Sequence, residues 1–375
     1  MEGFLLHRFP NNDTLRQYGK GLIIDFQGKR KVLSTSMLNG GFTDYLTRVF
    51  NYNCLADNYD CSMCYDTYEQ ELESNACSLN LDPKFTSGLS TAALVECAAI
   101  CTKEYKDQSV TAIVTAGIDH NAIRIGDPAS YYEESNVYTP LSPGTINILL
   151  YINHDMPAGT MTRAMTMCTE AKVAAIQELM IGSCYSQGIA TGSGTDGTII
   201  ICDATTQSFL TDAGGHSKLG ELIGLSVKSA VKDALLRQTS ASPARQHSIL
   251  ERGKRFGIGI GSMWTIYNKY LNQPDYIDLL KPLTLEQFES KITNWQTNSN
   301  LVVYSSLFYH LMDQMNWKLL EWPELIREFR SLCTWFLTVN YKGSIKMPTI
   351  NYETTEQNSE LLEYYQLSII LRIFA

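Results

Sequence analysis

No apolar run in this chain approaches the roughly 20 residues that a membrane-spanning helix needs, so a helical membrane protein is not expected. The first residues, M-E-G-F-L-L-H-R-F-P-N-N-D, hold no basic stretch followed by a long apolar one, so no secretory leader is expected either. Basic residues are in deficit: 30 Lys and Arg stand against 39 Asp and Glu, with a net charge of −9. That balance argues against a nucleic-acid or anionic-membrane partner and leaves a small ligand open. Charged residues make up only 18% against 44% hydrophobic, which excludes a disordered chain and supplies a sizeable core. Common catalytic signatures are missing too. There is no G-x-S-x-G elbow, no H-E-x-x-H, and no lysine-bearing phosphate loop.

What is present is enough chain for two domains, 375 residues, with ten cysteines. Cys97, Cys101, Cys168 and Cys202 sit inside apolar periodic segments, where a free thiol serves as a small hydrophobe. Together with the absent leader, this gives a reducing, cytoplasmic expectation. Cys61 and Cys64 have the two-residue spacing of a zinc knuckle, with free thiols in an irregular insertion, Tyr52 to Ser87, as the plainer reading.

Gly19 to Ser36 reads as two strands joined in a hairpin at Gln27-Gly28. Thr43 to Asn51 reads as a short helix, and the alanine-rich Ser90 to Glu104 as an amphipathic one. Val110 to Gly117, Thr145 to Asn153 and Thr198 to Asp203 read as buried strands. Ala158 to Ile181 is the longest helical pattern, and a second long helix starts at the N-cap Ser217 and runs to about Arg237. The expected class is α+β, a layered α/β domain over residues 1–240 with one mixed sheet and packed helices. Gln238 to Ser248 has linker composition, and residues 245–375, richer in Trp, Tyr, Leu and Glu, read as a mainly helical domain.

Four clusters could carry chemistry. Ala190-Thr191-Gly192-Ser193-Gly194-Thr195-Asp196 crowds hydroxyls and a carboxylate into one glycine-rich turn. Asp196 there suits a general base or an anchor, although a plain turn with self-bonded side chains has the same composition. On the long helix, Arg163, Thr166 and Glu170 share a face, as a polar stripe on a largely apolar helix. Arg163 with Glu170 would be an ion pair or a ligand site, whereas Lys172 points away from Glu170. In Gly214 to Glu221, His216 stands at a helix mouth whose free N–H groups favour a neutral imidazole. Arg124 and Asp127 follow a strand, the usual place for ligand loops. Asn39 marks a similar polar strand end, and Asn147 is a polar residue inside an apolar strand, either paired internally or facing a cleft.

Seven pieces in order, K-V-L-S-T-S-M-L-N-G-G, V-T-A-I-V-T-A-G-I, R-I-G-D, G-T-I-N-I, R-A-M-T-M-C-T-E-A-K, A-T-G-S-G-T-D and H-S-K-L-G-E-L-I-G, make the first 240 or so residues resemble the adenosylcobinamide amidohydrolase family. The resemblance implies hydrolysis of the amide joining a corrin propionyl side chain to aminopropanol, releasing adenosylcobyric acid, in corrinoid salvage or remodelling. The corrinoid is then substrate, with no resident cofactor implied, and no D-x-H-x-x-G signature for carrying a corrinoid is present. Matching positions are Asn39, Arg124, Asp127, Asn147, Arg163, Thr169, Glu170, Lys172, Thr195, Asp196, His216, Lys218 and Glu221. The scheme this suggests is direct attack by water, with Asp196 or Glu170 as base and His216 or Lys218 protonating the leaving amine. N–H groups around Gly192 to Gly194 would hold the oxyanion. Thr195 as a covalent nucleophile is the rival scheme, and a corrinoid-binding or sensing protein without turnover is the alternative function. The presence of Glu170, Asp196, His216 and Lys218 together favours the enzyme. Self-association into a homo-oligomer stays open.

Overall fold

The computed structural model describes residues 3–55, 64–130, 132, 144–338, 347–348 and 357–374. It divides into two compact units, Met1–Ser242 and Pro243–Ala375.

The first unit has four layers. Strands β1 (Phe4–Arg8), β2 (Thr14–Tyr18), β3 (Gly21–Asp25), β4 (Arg30–Ser34), β5 (Gly41–Thr43) and β6 (Arg48–Asn53) are followed by helix α1 (Tyr68–Ser78). Next come β7 (Thr86–Thr91), β8 (Ala99–Tyr105), β9 (Gln108–Ala116), β10 (Ile146–Ile152), helix α2 (Ala158–Glu178), β11 (Gly197–Asp203) and helix α3 (Lys218–Thr239). They build two sheets, ordered β1-β2-β3-β6-β7 and β5-β4-β11-β10-β9-β8. Alternation sorts the side chains. Ile146, Ile148, Leu150 and Ile152 of β10 face α2 and α3, while Leu149 and Tyr151 face Leu15, Leu22, Ile24 and Val49 of the other sheet. The outer face of that sheet packs Ile23 and Phe50 on Leu72 and Ala76 of α1.

The β10–α2–β11 unit positions the candidate site. β10 and β11 are parallel, Asn147 opposite Gly197 and Ile152 opposite Cys202, and α2 is the crossover between them. Everything just before Gly197 therefore lies at their shared amino end, and everything just after Asp203 at their carboxyl end.

Three expectations are corrected. β3 and β4 do not pair as a hairpin around Gln27-Gly28. β3 lies between β2 and β6, β4 between β5 and β11, and Leu22, Ile24 and Val32 meet face to face in the inter-sheet core. There are thus two sheets where one was expected. Thr43 to Asn51 is not a helix but the end of β5, a turn and β6, because Val49 and Phe50 are buried on opposite faces. Ser90 to Glu104 is likewise extended. β8 pairs with β9 through a tight turn in which Lys106 has φ +54°, and its small Ala99 lies in the core beneath the α3 side of the sheet. Alanine reads as helical from local propensity, whereas here it permits close packing.

The second unit is helical, with helices Ile260–Leu271, Leu285–Trp295, Ser299–Asn316, Trp322–Thr338 and Gln357–Phe374. Its core is aromatic, with Tyr304 stacked on Phe336 at 3.9 Å and Phe308 on Tyr365 at 4.3 Å.

Candidate active site

The residues expected to act together divide between the two ends of β11. At the amino end, Asp196 is a hub. Its Oδ1 accepts from the Ile146 N–H at 3.0 Å, the Ser193 N–H at 3.2 Å and the Ser193 hydroxyl at 2.5 Å. Its Oδ2 receives the Lys172 ammonium of α2, and both side chains are largely withdrawn from water, at 12% and 13% exposure. Gly192 makes this possible, since a Cβ there would sit 2.3 Å from Asp196 Oδ2 and 3.0 Å from Lys172 Nζ. Gly194 holds φ at +81°, a left-handed conformation that turns the chain into β11.

Thr195, exposed at the tip, extends the network. Its Oγ1 lies 3.2 Å from Ser193 Oγ and 2.9 Å from Thr145 Oγ1, and donates to the Gly144 carbonyl at 2.8 Å. A chain of hydroxyls thus runs from solvent through Thr195 and Ser193 to a carboxylate already paired with a lysine. The Gly192 and Ser193 N–H groups are engaged, by Ile123 O and Asp196 respectively, while the exposed Gly194 N–H has no acceptor among the described residues. Beside it the buried Asn121 amide donates to Gly144 O at 2.5 Å, and its Oδ1 has no partner among the described residues.

Arg124 and Asp127 support this turn from behind. Ile123 pairs with Gly192, Arg124 Nη1 donates to Ile189 O at 3.1 Å, and Asp127 accepts from Arg124 N at 3.0 Å and the Ser183 hydroxyl at 2.7 Å. Burial opposes the Asp127 charge, but the Ser183 and Ser186 hydroxyls, the Arg124 N–H and the Arg124 guanidinium outweigh it and hold the carboxyl below its usual value. Asn147 is paired internally. Only 1% exposed, it donates to Asn51 Oδ1 at 2.8 Å and Ser90 O at 2.9 Å and accepts from Gly197 N at 3.1 Å, linking the two sheets. Asn39 is also structural, at φ +49° with its amide on Pro83 O and Thr86 O at 2.7 and 2.8 Å.

The remaining residues lie elsewhere. Lys218 Nζ stands 4.5 Å over the Tyr105 ring and pairs with Glu221 at 2.5 Å. Tyr105 lies opposite Gln108, just before Val110, which faces Ile152 across the sheet. Lys218, Glu221 and the exposed His216 before the Ser217 cap are therefore at the carboxyl end. The seven-residue β11, about 20 Å long at its rise per residue, separates them from Asp196. Arg163 flanks the loop leading to α3, its Nη2 3.3 Å from where a Gly214 Cβ would be. Arg163, Thr166, Thr169 and Glu170 are exposed, so the α2 stripe is a solvated face; Arg163 and Glu170 form no ion pair, and the Thr166 and Thr169 hydroxyls bond back to Thr162 O and Met165 O at 3.2 and 3.0 Å.

Lys172 and Ser193 are the members the sequence reading left without a role. The signal for Lys172 was available, for it falls four residues after the buried Cys168, on the apolar seam of α2, where a cation needs a partner. Burial, only partly offset by Lys172, pushes the Cys168 thiol up to about 12, so it is no thiolate nucleophile. Cys61 lies outside the described residues, Cys64 is an exposed free thiol, and no group of three or more His, Cys, Asp or Glu among the described residues is placed to hold a metal.

The profile of the adenosylcobinamide amidohydrolase family matches residues 7–243. The chain belongs to that family. A similar protein is the uncharacterized protein MJ1613 of Methanocaldococcus jannaschii, 34% identical over 252 residues, which cover 64% of this chain and 95% of the relative. Among solved structures, the PH0078 protein from Pyrococcus horikoshii OT3 (11% identity, TM-score 0.30) and a Burkholderia sp. beta-aminopeptidase (12%, TM-score 0.32) each match 63% of this chain and 83% of their own. No described helix is long and apolar enough to cross a membrane.

Proposed function

We propose that the first unit hydrolyses the amide between the corrin propionyl side chain and aminopropanol of adenosylcobinamide, with Thr195 as nucleophile. Membership of the family supports the substrate class. The observation that carries the mechanism is the exposed Thr195 hydroxyl joined through Ser193 to the Asp196–Lys172 pair. Water-activating schemes that need His216 or Lys218 beside Asp196 are disfavoured by the separation along β11.

The Thr195 hydroxyl turns from Gly144 O toward Ser193 Oγ, its Oγ attacks the amide carbon, and its proton passes through Ser193 Oγ to Asp196, whose position Lys172 maintains. The Gly194 N–H is the free donor for the oxyanion. Collapse breaks the C–N bond, the leaving amine takes the proton, and 1-amino-2-propanol departs. Water then cleaves the Thr195 ester to give adenosylcobyric acid. A cytoplasmic setting agrees with the free thiols among the described residues.

The test is incubation with adenosylcobinamide and mass spectrometry of both corrinoid and protein. Adenosylcobyric acid should form, with a corrinoid adduct on Thr195 trapped by acid quench and absent from Thr195→Ala. Turnover surviving in Thr195→Ala would defeat the nucleophile assignment and return the attack to water. Tight binding without turnover would make the chain a corrinoid-binding protein.

A further inference from the structure

Apart from this turn, the strongest chemical feature of the first unit is on the outer face of the β1-β2-β3-β6-β7 sheet. Direct cross-strand partners point to the same face, and Arg8, Thr14, Asp25 and Arg48 are such partners in succession across β1, β2, β3 and β6. Arg16, two residues beyond Thr14, shares that face. α1 covers the neighbouring part of the sheet at Ile23 and Phe50, while Arg8 and Arg48 in this row are exposed. The row lines an open cavity of about 600 Å³ that holds three guanidiniums and a single carboxylate.

The charge is only partly spent. Arg48 pairs with Asp25 at 2.5 Å, and Arg16 donates one N–H to Gly3 O at 2.9 Å. The Arg8 side chain is exposed and makes no ion pair or hydrogen bond with any described residue. Like charges gathered on one sheet face repel, and a bound anion relieves that cost. Planar guanidinium forks on a concave floor match phosphate oxygens, and the Asn12 amide and Thr14 hydroxyl on the same wall add neutral donors.

The geometry points to a second ligand site on this face, for a phosphate-bearing small molecule. It is separate from the Thr195 turn, because Thr14 adjoins Asp13, which bonds through Arg30 to Asp203 at the carboxyl end of β11, and because the row faces away from the inter-sheet core. The inference does not depend on the amidohydrolase assignment.

The experiment is calorimetric titration of the full chain with inorganic pyrophosphate, and in parallel with adenosine monophosphate, at low and moderate salt. Saturable binding is expected, weakened about tenfold or more in Arg8→Gln and in Arg16→Gln, since each removes charge-assisted bonds. Lys232→Gln, which removes a surface cation of α3 elsewhere on this unit, should leave it unchanged. Equal affinity for the two probes assigns the site to the phosphate alone, and tighter adenosine monophosphate binding adds a contact to the organic group. Absence of saturable binding, or an equal loss in Lys232→Gln, overturns the proposal in favour of a solvated basic face. Thermal melts with and without pyrophosphate guard against misfolding: the variants should melt like the parent alone and lose only the ligand-induced rise.

Discussion

Two charged networks lie at opposite ends of β11, and they differ in what is left unsatisfied. At the carboxyl end Arg30, 1% exposed, binds Asp13 through Nε and Nη2 at 2.7 and 2.9 Å and Asp203 through Nη1 at 2.9 Å. Tyr151 donates to Asp13 at 2.6 Å, and Asn11 closes the ring onto Tyr151 and Asp203. The donors and acceptors of that network are satisfied within the protein, and it holds the two sheets together. At the amino end the Asp196–Lys172 pair leads outward through Ser193 to an exposed hydroxyl. The two ion pairs thus differ in their surroundings: one is enclosed in a sealed network, and the other ends in an exposed hydroxyl, which under the proposed mechanism is the group that exchanges a proton with the substrate.

The contrast is broken most strongly at its open end. Thr195→Ala should lower turnover of adenosylcobinamide roughly a thousandfold or more while the thermal melting curve barely moves. Asp196→Asn should be comparably inactive, and retained activity in either variant would move the chemistry elsewhere. The sealed end should respond in stability. Arg30→Met strands two buried carboxylates and should cost about 3–5 kcal/mol in denaturant unfolding, because the desolvated charges lose their partner. Lys172→Met should reduce kcat by up to about a hundredfold through misplacement of Asp196, with partial recovery in Lys172→Arg and little change in KM.

Acid should affect the sealed network more mildly. Burial raises the Asp203 carboxyl, but the Thr205 hydroxyl and N–H, Asn11 and Arg30 together bring it below its usual value. A carboxyl depressed in the folded state stabilises fully above its unfolded value and loses that contribution as pH falls through the folded one, so the sealed network should weaken only below about pH 4. Urea midpoints measured from pH 6 to pH 3 would show a flat profile until then, and Asp203→Asn should abolish the acid slope attributable to this group. Smallest of all, His216→Ala and Lys218→Ala should leave kcat within about threefold of the parent, because neither touches the Thr195 turn. A loss comparable to that of Thr195→Ala would mean that the reaction uses the carboxyl end instead.

Legibility followed locality. The strands around 110–117, 145–153 and 198–203 and the helices beginning at Ala158 and Ser217 were readable because periodicity, β-branching and a cap coincide with what the tertiary structure requires. Ser217 caps α3 through Gly220 N, as its position suggests. The alanine-rich stretch before Tyr105 misled because its small side chains are set by a neighbouring helix and not by local propensity. Asn147 shows the same limit, since nothing nearby in sequence announces Asn51 or Ser90 as its partners.

The layered α/β character of the first unit, the helical character of the second and the glycine-hydroxyl-carboxylate turn from Gly192 to Asp196 are all readable from the residues alone. Those features rest on residues close together in the chain. It took the packing of distant segments to bring Lys172 to Asp196, to part β3 and β4 into separate sheets, and to set His216 and Lys218 a strand's length from Thr195. The direction of a strand turns neighbours in a motif series into opposite ends of a sheet, and that direction is set by pairing and packing between distant segments.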